Sequence, residues 1–367
     1  MRSFIFSLFF FIGLSSFYAQ KETNFSYLQS EYFYGNILKH NKNVGYFLND
    51  HPTGFMLSYN KKTTGKQNWQ HRFNYPDIGF SIAYQDYKNP ILGKLYSAYG
   101  HYNFYLLPRV SKNQIVFRAG WGIAYNTNPY DKVTNPKNVA FGSKLNSSTY
   151  FKLFYKRENV LNLFGVNAGL TFIHASNSSV KSPNTGVNVW ATTIGVNYNL
   201  QANNKIKYTK LAQESTFSKK IKYNFVFRFG ANESDIIGSG IKPFFVFSWY
   251  ADKRLSRKSA IQFGGDYYLS YMLKDYIKIR HSLDENYKTG DFKRAGLFVG
   301  HELFINKLSV IIQAGYYVYY PVALNGRIYE RLGLKRYVIN DKYFVSVSLK
   351  AHAAKAETVA FGIGVRL

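Results

Sequence analysis

Apolar and polar side chains alternate residue by residue over much of this chain. The last segment shows it most clearly: Val359, Phe361, Ile363, Val365 and Leu367 share one parity, and Ala360, Gly362, Gly364 and Arg366 the other. Successive side chains of a strand point to opposite faces, so this segment predicts a β-strand with one apolar face and one small or basic face. The same alternation, broken by turn-rich stretches, predicts strands at 27–36, 53–60, about 70–86, 95–107, 114–125, 148–157, 164–174, 189–200, 222–231, 241–250, 259–273, 293–304, 307–320, 327–338 and 342–352. With the C-terminal segment that makes sixteen; two of the early ones carry the pattern weakly, so the range is fourteen to sixteen, with sixteen favoured.

Loop lengths give an independent reading. Outer-membrane barrels have even strand numbers, with short turns at one end and long loops at the other. If both termini lie at the periplasmic end, the long segments 126–147, 175–188, 232–240 and 274–292 fall outside, and the short ones 158–162, 252–258, 305–307 and 340–341 fall inside. The segment 201–221 breaks the rule, being long and basic at the short-turn end. No low-complexity stretch, internal repeat or obvious linker divides the chain. Residues 21–367 therefore read as a single all-β domain, a transmembrane outer-membrane antiparallel β-barrel.

Residues 1–20 differ from the rest. Arg2 precedes an apolar run from Phe4 to Leu14, followed by Ser15, Ser16 and Ala19. This is the layout of a cleaved signal peptide, too short for a spanning helix. Beyond it no window approaches the length of apolar sequence that a transmembrane helix needs. The 33 Tyr and 32 Phe are abundant, yet mean hydropathy is negative. A barrel whose alternate residues meet lipid and lumen needs that combination. The absence of cysteine excludes disulfides and a lipid-anchored N-terminus. A net charge of +27 suits nucleic acid or an anionic membrane surface. Export and the lack of any nucleic-acid motif favour the membrane, so the partners expected are membrane lipids and not nucleic acid.

The chemistry concentrates in one stretch. Phe164, Val166, Ala168, Leu170 and Phe172 form a lipid-facing row that His174 and Ser176 continue, and Asn188 continues the corresponding row of the next strand. A His, a Ser and an Asn thus converge on the membrane side at the extracellular ends of two neighbouring strands. They suit a nucleophile, its base and a group that orients the base. Equally, polar residues are ordinary at a barrel rim, where loops begin, and His-x-Ser spacing alone does not separate the two. Two other groups carry less. His352 and Glu357 read as a polar pair on the lumen face or rim, and His301–Glu302 falls at the opposite end. Neither has metal-ligand spacing, and no metal or other cofactor is expected.

The run HASN (174–177) followed by KSPNTG (181–186) resembles the signature of the outer-membrane lipid A 3-O-deacylase family, the acyloxyacyl hydrolases. PYDKVTNPKNVAFGSKLN (129–146), GANESD (230–235), KRAGLFVGHEL (293–303), YERLGLKRY (329–337) and LKAHAAKAE (349–357) extend the resemblance, to a Bacteroidetes-type branch, over most of the chain. The resemblance implies a serine esterase that removes the 3-position acyl chain of lipid A, the membrane anchor of lipopolysaccharide, in the outer leaflet. It implies Ser176 as nucleophile, His174 as base and Asn177 as the oxyanion-binding group.

One position departs from the family, whose characterised members carry a Glu near Asn188. An Asn carbonyl can orient an imidazole but supplies no charge. Outer-membrane phospholipase A, which resembles this arrangement with Asn as third member, is the alternative substrate class; calcium and dimerisation would accompany it. The chain is therefore expected as monomer or homodimer. A non-catalytic barrel, pore or structural, is the other alternative. An alternative acid is Glu233, which extends the lipid-facing row Tyr223, Phe225, Phe227, Phe229 and Ala231. A solvated loop carboxylate is its plainer reading.

Overall fold

The computed structural model describes residues 25–39, 45, 51–201, 206–211, 216–287, 289–353 and 355–367. The expected signal peptide at 1–20 lies outside them. Period-2 patterning produces sixteen antiparallel strands, as expected. The first eight are β1 (Ser26–Ile37), β2 (Thr53–Lys61), β3 (Asp77–Asp86), β4 (Lys94–Tyr105), β5 (Asn113–Asn126), β6 (Leu145–Leu161), β7 (Phe164–Ser176) and β8 (Val187–Asn199). The second eight are β9 (Lys222–Asn232), β10 (Lys242–Arg254), β11 (Ser259–Ser270), β12 (Lys293–Phe304), β13 (Leu308–Tyr319), β14 (Ile328–Ile339), β15 (Tyr343–His352) and β16 (Lys355–Arg366).

The strands do not close as the one barrel that a single domain over 21–367 requires. They form two closed barrels of eight, β1–β8 and β9–β16. β1 pairs with β8, from Tyr27 opposite Asn199 to Ile37 opposite Val189, and β16 pairs with β9, Phe361 opposite Phe229. Alternation fixes which side of a strand faces inward but not which strand closes the ring. The size of the inward side chains decides that. An eight-stranded barrel has an interior that side chains fill, whereas sixteen strands enclose an aqueous channel.

Here the inward rows are bulky and mutually charge-neutralising. In the first barrel Glu31 pairs with Lys152, while Arg118 donates from Nε to Asn103 at 2.6 Å and from Nη2 to Gln29 at 2.6 Å. In the second, Asp266 holds Arg331 at 2.9 Å and Glu302 holds Lys335 at 3.2 Å. Facing outward are Phe55, Leu57, Phe80, Leu170, Ile194, Phe225, Phe263 and Phe361, all exposed, as a lipid-contacting surface demands. Among the described residues no helix is long and apolar enough to cross a membrane.

Two short helices replace parts of the expected strands and loops. α1 (Asn68–Arg72) occupies the start of the segment read as a strand from 70, and β3 begins only at Asp77. Between them Asn74 and Tyr75 take left-handed conformations that turn the chain. α2 (Tyr271–Leu283) ends the strand read to 273 early and fills most of the loop after it. The Ser270 hydroxyl caps it by accepting from Leu273 N, and the helix buries Met272, Leu273 and Ile277.

The anomalous segment 201–221 also finds its place, as the connection from one barrel to the other. Its described parts dock on both. Tyr208 packs on Tyr75 at 4.9 Å between ring centroids, and Phe217 lies 5.6 Å beneath the Arg257 guanidinium.

Candidate active site

The site lies where β7 ends and β8 begins, at the end of the first barrel opposite the start of β1. Burial alternates along β7, with Phe164, Val166, Ala168 and Leu170 exposed and Gly165, Asn167 and Thr171 buried. His174 falls on the exposed row, half-buried, and Asn188 stands directly opposite it on β8. Directly opposed residues of antiparallel strands bring their Cβ atoms within ~5 Å. That spacing lets the short Asn188 side chain reach the ring: Asn188 Oδ1 lies 2.6 Å from His174 Nδ1. Ser176, two residues on along the same face, lies with Oγ 3.1 Å from His174 Nε2.

With a carbonyl oxygen against it, Nδ1 carries the ring proton, and Nε2 is left with its lone pair towards the serine hydroxyl. Asn188 therefore fixes the tautomer that a base needs, without providing a charge. Ser148 on β6 donates its hydroxyl to the His174 carbonyl at 3.1 Å and holds the strand end in place.

The loop 177–186 folds over this end and buries Ser176 and Asn177. Asn177 is spent largely on closing the loop. Its backbone N–H donates to Asn184 Oδ1 at 2.8 Å and its side-chain amide to Lys181 O at 2.7 Å, so one of its two amide hydrogens remains for an oxyanion. The next two residues, Ser178 and Ser179, have φ of 55° and 63°, and Val180 N donates back to Asn177 O at 3.2 Å. A turn with two left-handed central residues is normally built from Gly or Asn, and each serine there costs roughly 1–2 kcal/mol.

Glu233, the alternative acid, reaches this end of the molecule. Both ring nitrogens are engaged by Asn188 and Ser176. The Glu233 carboxylate accepts from Ser182 N at 2.8 Å and Gly240 N at 2.9 Å. Counting along β9 places the residue on the right side; the chain leaves the strand at Asn232 and the side chain turns to backbone donors. His352 and Glu357 are paired at 2.5 Å inside the second barrel, beside Lys350 and Arg294. Glu302 is bound to Lys335 and Ser309 in the lumen near the other end.

The sequence reading missed two glycines that shape the site. Gly186, at φ 67°, passes so close that a Cβ would meet Ala175 O and Ser176 Cβ at 3.0 Å and His174 Cε1 at 3.2 Å. At Gly142 a Cβ would meet Lys181 O at 2.5 Å. Gly142 belongs to the 129–146 motif, whose loop lies along 181–186: Thr185 N and Gly186 N donate to Val139 O and Ala140 O, both at 3.1 Å. The signal available was the glycine at the end of KSPNTG, which as a left-handed turn residue reads like any loop glycine.

Fold and site together define a class, a membrane-type β-barrel bearing a Ser–His–Asn cluster on its outward face. Two family models match the chain: Lipid A 3-O-deacylase (PagL) over residues 53–197, and Acyloxyacyl hydrolase, C-terminal domain, over residues 221–367. The gap between them falls in the connection between the two barrels. The chain belongs to the lipid A 3-O-deacylase family, and is thereby a hydrolase of the outer membrane acting on lipid A.

No curated protein matches it. Among solved structures, the outer membrane protein Omp33 of Acinetobacter baumannii is 10% identical, with 94% of this chain and 97% of that one covered and a TM-score of 0.17. A mutant of the Rh. blastica porin is 8% identical, covering 93% and 98%, also at 0.17. CdiB of Acinetobacter baumannii is 8% identical, covering 94% and 60%, at 0.18. Similarity at this level transfers no function.

Proposed function

We propose that this chain is a serine esterase that removes the ester-linked 3-position acyl chain of lipid A, with Ser176 as nucleophile and His174 as base. The observation that carries the reading is the relay Asn188–His174–Ser176, with contacts of 2.6 and 3.1 Å on the outward row of β7 and β8. A nucleophile that continues the outward row of β7, beneath the loop 177–186, suits a substrate held in the lipid leaflet, since an intact lipid A does not thread a barrel filled with side chains.

In the proposed reaction Ser176 Oγ attacks the ester carbonyl carbon as its proton passes to His174 Nε2. The remaining amide hydrogen of Asn177 is the donor nearest in sequence for the oxyanion that forms. Collapse breaks the carbon–oxygen bond to the sugar, and the leaving oxygen takes the proton back from Nε2. Water, deprotonated by the same nitrogen, then releases the fatty acid and restores Ser176. No step calls on a metal or other cofactor.

The test is mass spectrometry of lipid A from cells with and without the protein. Loss of one 3-hydroxyacyl chain, abolished by Ser176→Ala in a barrel that still folds and stays heat-modifiable on gels, is the expected result. Activity of Ser176→Ala or His174→Ala within about tenfold of wild type refutes the mechanism. Unchanged lipid A alongside fatty acid released from phospholipids identifies a phospholipase A instead. Asn as third member is the feature that favours that second reading.

A further inference from the structure

The second barrel, residues 222–366, contributes none of the Ser–His–Asn groups, yet it grips the turn that follows the nucleophile. Glu233 N donates to Ser179 O at 3.0 Å, and Ser179 Oγ donates to Ala356 O at 2.7 Å. Ser182 N donates to Glu233 Oε2 at 2.8 Å, and Ser182 Oγ to Ser234 O at 2.6 Å. The two Ser182 bonds are buried: Glu233 is 6% exposed, Ser182 8% and Ser234 3%. The gripped turn is the left-handed Ser178–Ser179 pair. A backbone held in such a conformation by residues other than glycine persists only where its surroundings over-determine it. Within the first barrel the turn has the Val180–Asn177 backbone bond, the Asn177 N–H bond to Asn184 Oδ1 and the Asn177 side-chain bond to Lys181 O. Further restraint comes across the interface.

We infer that the second barrel is a clamp for the active site, and that Glu233 is a positioning residue that holds the nucleophile's turn through Ser182. The linkage is short. Glu233 fixes the Ser182 N–H, the preceding carbonyl is Lys181 O, and that oxygen holds the Asn177 amide next to Ser176. A carboxylate suits the task because each of its oxygens takes one backbone N–H, from Ser182 and from Gly240, and charge-assisted bonds of this kind are the stronger ones. The inference deepens the proposed esterase reading and rests on it for its kinetic consequence; the mechanical part stands on the hydrogen bonds alone.

The experiment uses the full chain in detergent micelles. Glu233→Ala is expected to lower kcat on lipid A by about 10- to 100-fold, the scale of a misplacement near 1 Å, with KM little changed. Glu233→Gln, which keeps one acceptor, is expected to recover part of the loss. In a Ser178→Gly, Ser179→Gly background the turn needs less holding, so Glu233→Ala is expected to cost less there; a purely structural role for Glu233 predicts no such coupling. Hydrogen exchange supplies a readout independent of activity: Glu233→Ala is expected to accelerate the Val180 and Ser182 amides and leave those of β7 and β8 protected. Inert wild-type protein defeats the esterase reading but leaves the exchange result to judge the clamp. Unchanged exchange at Val180 and Ser182 overturns the clamp. A rise in kcat in Glu233→Ala also overturns it, because the grip would then be covering Ser176 rather than positioning it.

Discussion

Replacing Asn188 by aspartate probes the proposed proton transfer at the group that holds the imidazole. Aspartate is isosteric with asparagine, so a carboxylate oxygen takes the place of the amide oxygen now 2.6 Å from His174 Nδ1, with no repacking. In the proposed reaction the ring becomes imidazolium as Ser176 gives up its proton. Formal charge centres about 4 Å apart then attract by ~4 kcal/mol at an effective dielectric constant of about 20. Desolvation of the carboxylate at this half-buried position offsets part of that, and the ring charge is incomplete at the transition state. Roughly 1.4–2.7 kcal/mol remains, a ten- to hundredfold rise in kcat. Asn188→Ala does the opposite, leaving Nδ1 without its acceptor and both ring tautomers accessible, and is expected to lower kcat by about tenfold, the scale of one hydrogen bond. The assay is release of 3-hydroxy fatty acid from purified lipid A in micelles, followed by mass spectrometry for wild type and both variants. If aspartate is no faster than asparagine, no imidazolium forms in the rate-limiting step. If alanine equals asparagine, Asn188 does not hold the ring.

Gly186→Ala adds a methyl at φ 67° with His174 Cε1 3.2 Å away; we expect kcat to fall at least ~10-fold while the thermal midpoint moves by only a few degrees, the kinetic loss following from a displaced ring. Asp266 accepts from Arg331 at 2.9 Å, Tyr329 at 2.8 Å and Tyr268 at 3.0 Å inside the second barrel. Asp266→Ala leaves Arg331 and Arg228 uncompensated there and is expected to cost about 3–5 kcal/mol, read as a lowered urea midpoint in gel-shift unfolding. An unchanged midpoint would show that water reaches those guanidinium groups.

Much of this architecture is legible in the alternation. The row Phe164 to Ser176 and its continuation at Asn188 depend only on period-2 counting and on which strands are consecutive, both local properties. The turn at Asn340 and Asp341 is of the same kind, two left-handed residues between β14 and β15. What the pattern does not carry is closure. Whether β8 returns to β1 or continues to β9 depends on pairings some 170 residues apart, and alternation is identical in both cases. The clue lay in the inward residues, where Tyr27, Arg118, Lys152, Arg228, Tyr329 and Arg331 are too large and too well matched in charge for a water-filled ring.

The helix Tyr271–Leu283 was hidden because its apolar start continues the alternation of β11. Glu233 was found by counting along β9, but its backbone partners were not. Its acceptor role toward Ser182 and Gly240 involves backbone donors that no side-chain pattern reveals.

The filled interiors also decide where reaction products travel. A cylinder plugged by Arg118, Lys152 and their partners, or by Asp266 and Arg331, has no inside that leads anywhere. In the proposed reaction, whatever is cut from lipid A at the outward face of β7 and β8 would leave sideways, so the fatty acid and the trimmed lipid would both stay in the leaflet that supplied the substrate. Turnover would then change the composition of the enzyme's own solvent, and the rate in a membrane would slow as the surrounding lipid is converted, even though the protein itself is unaltered.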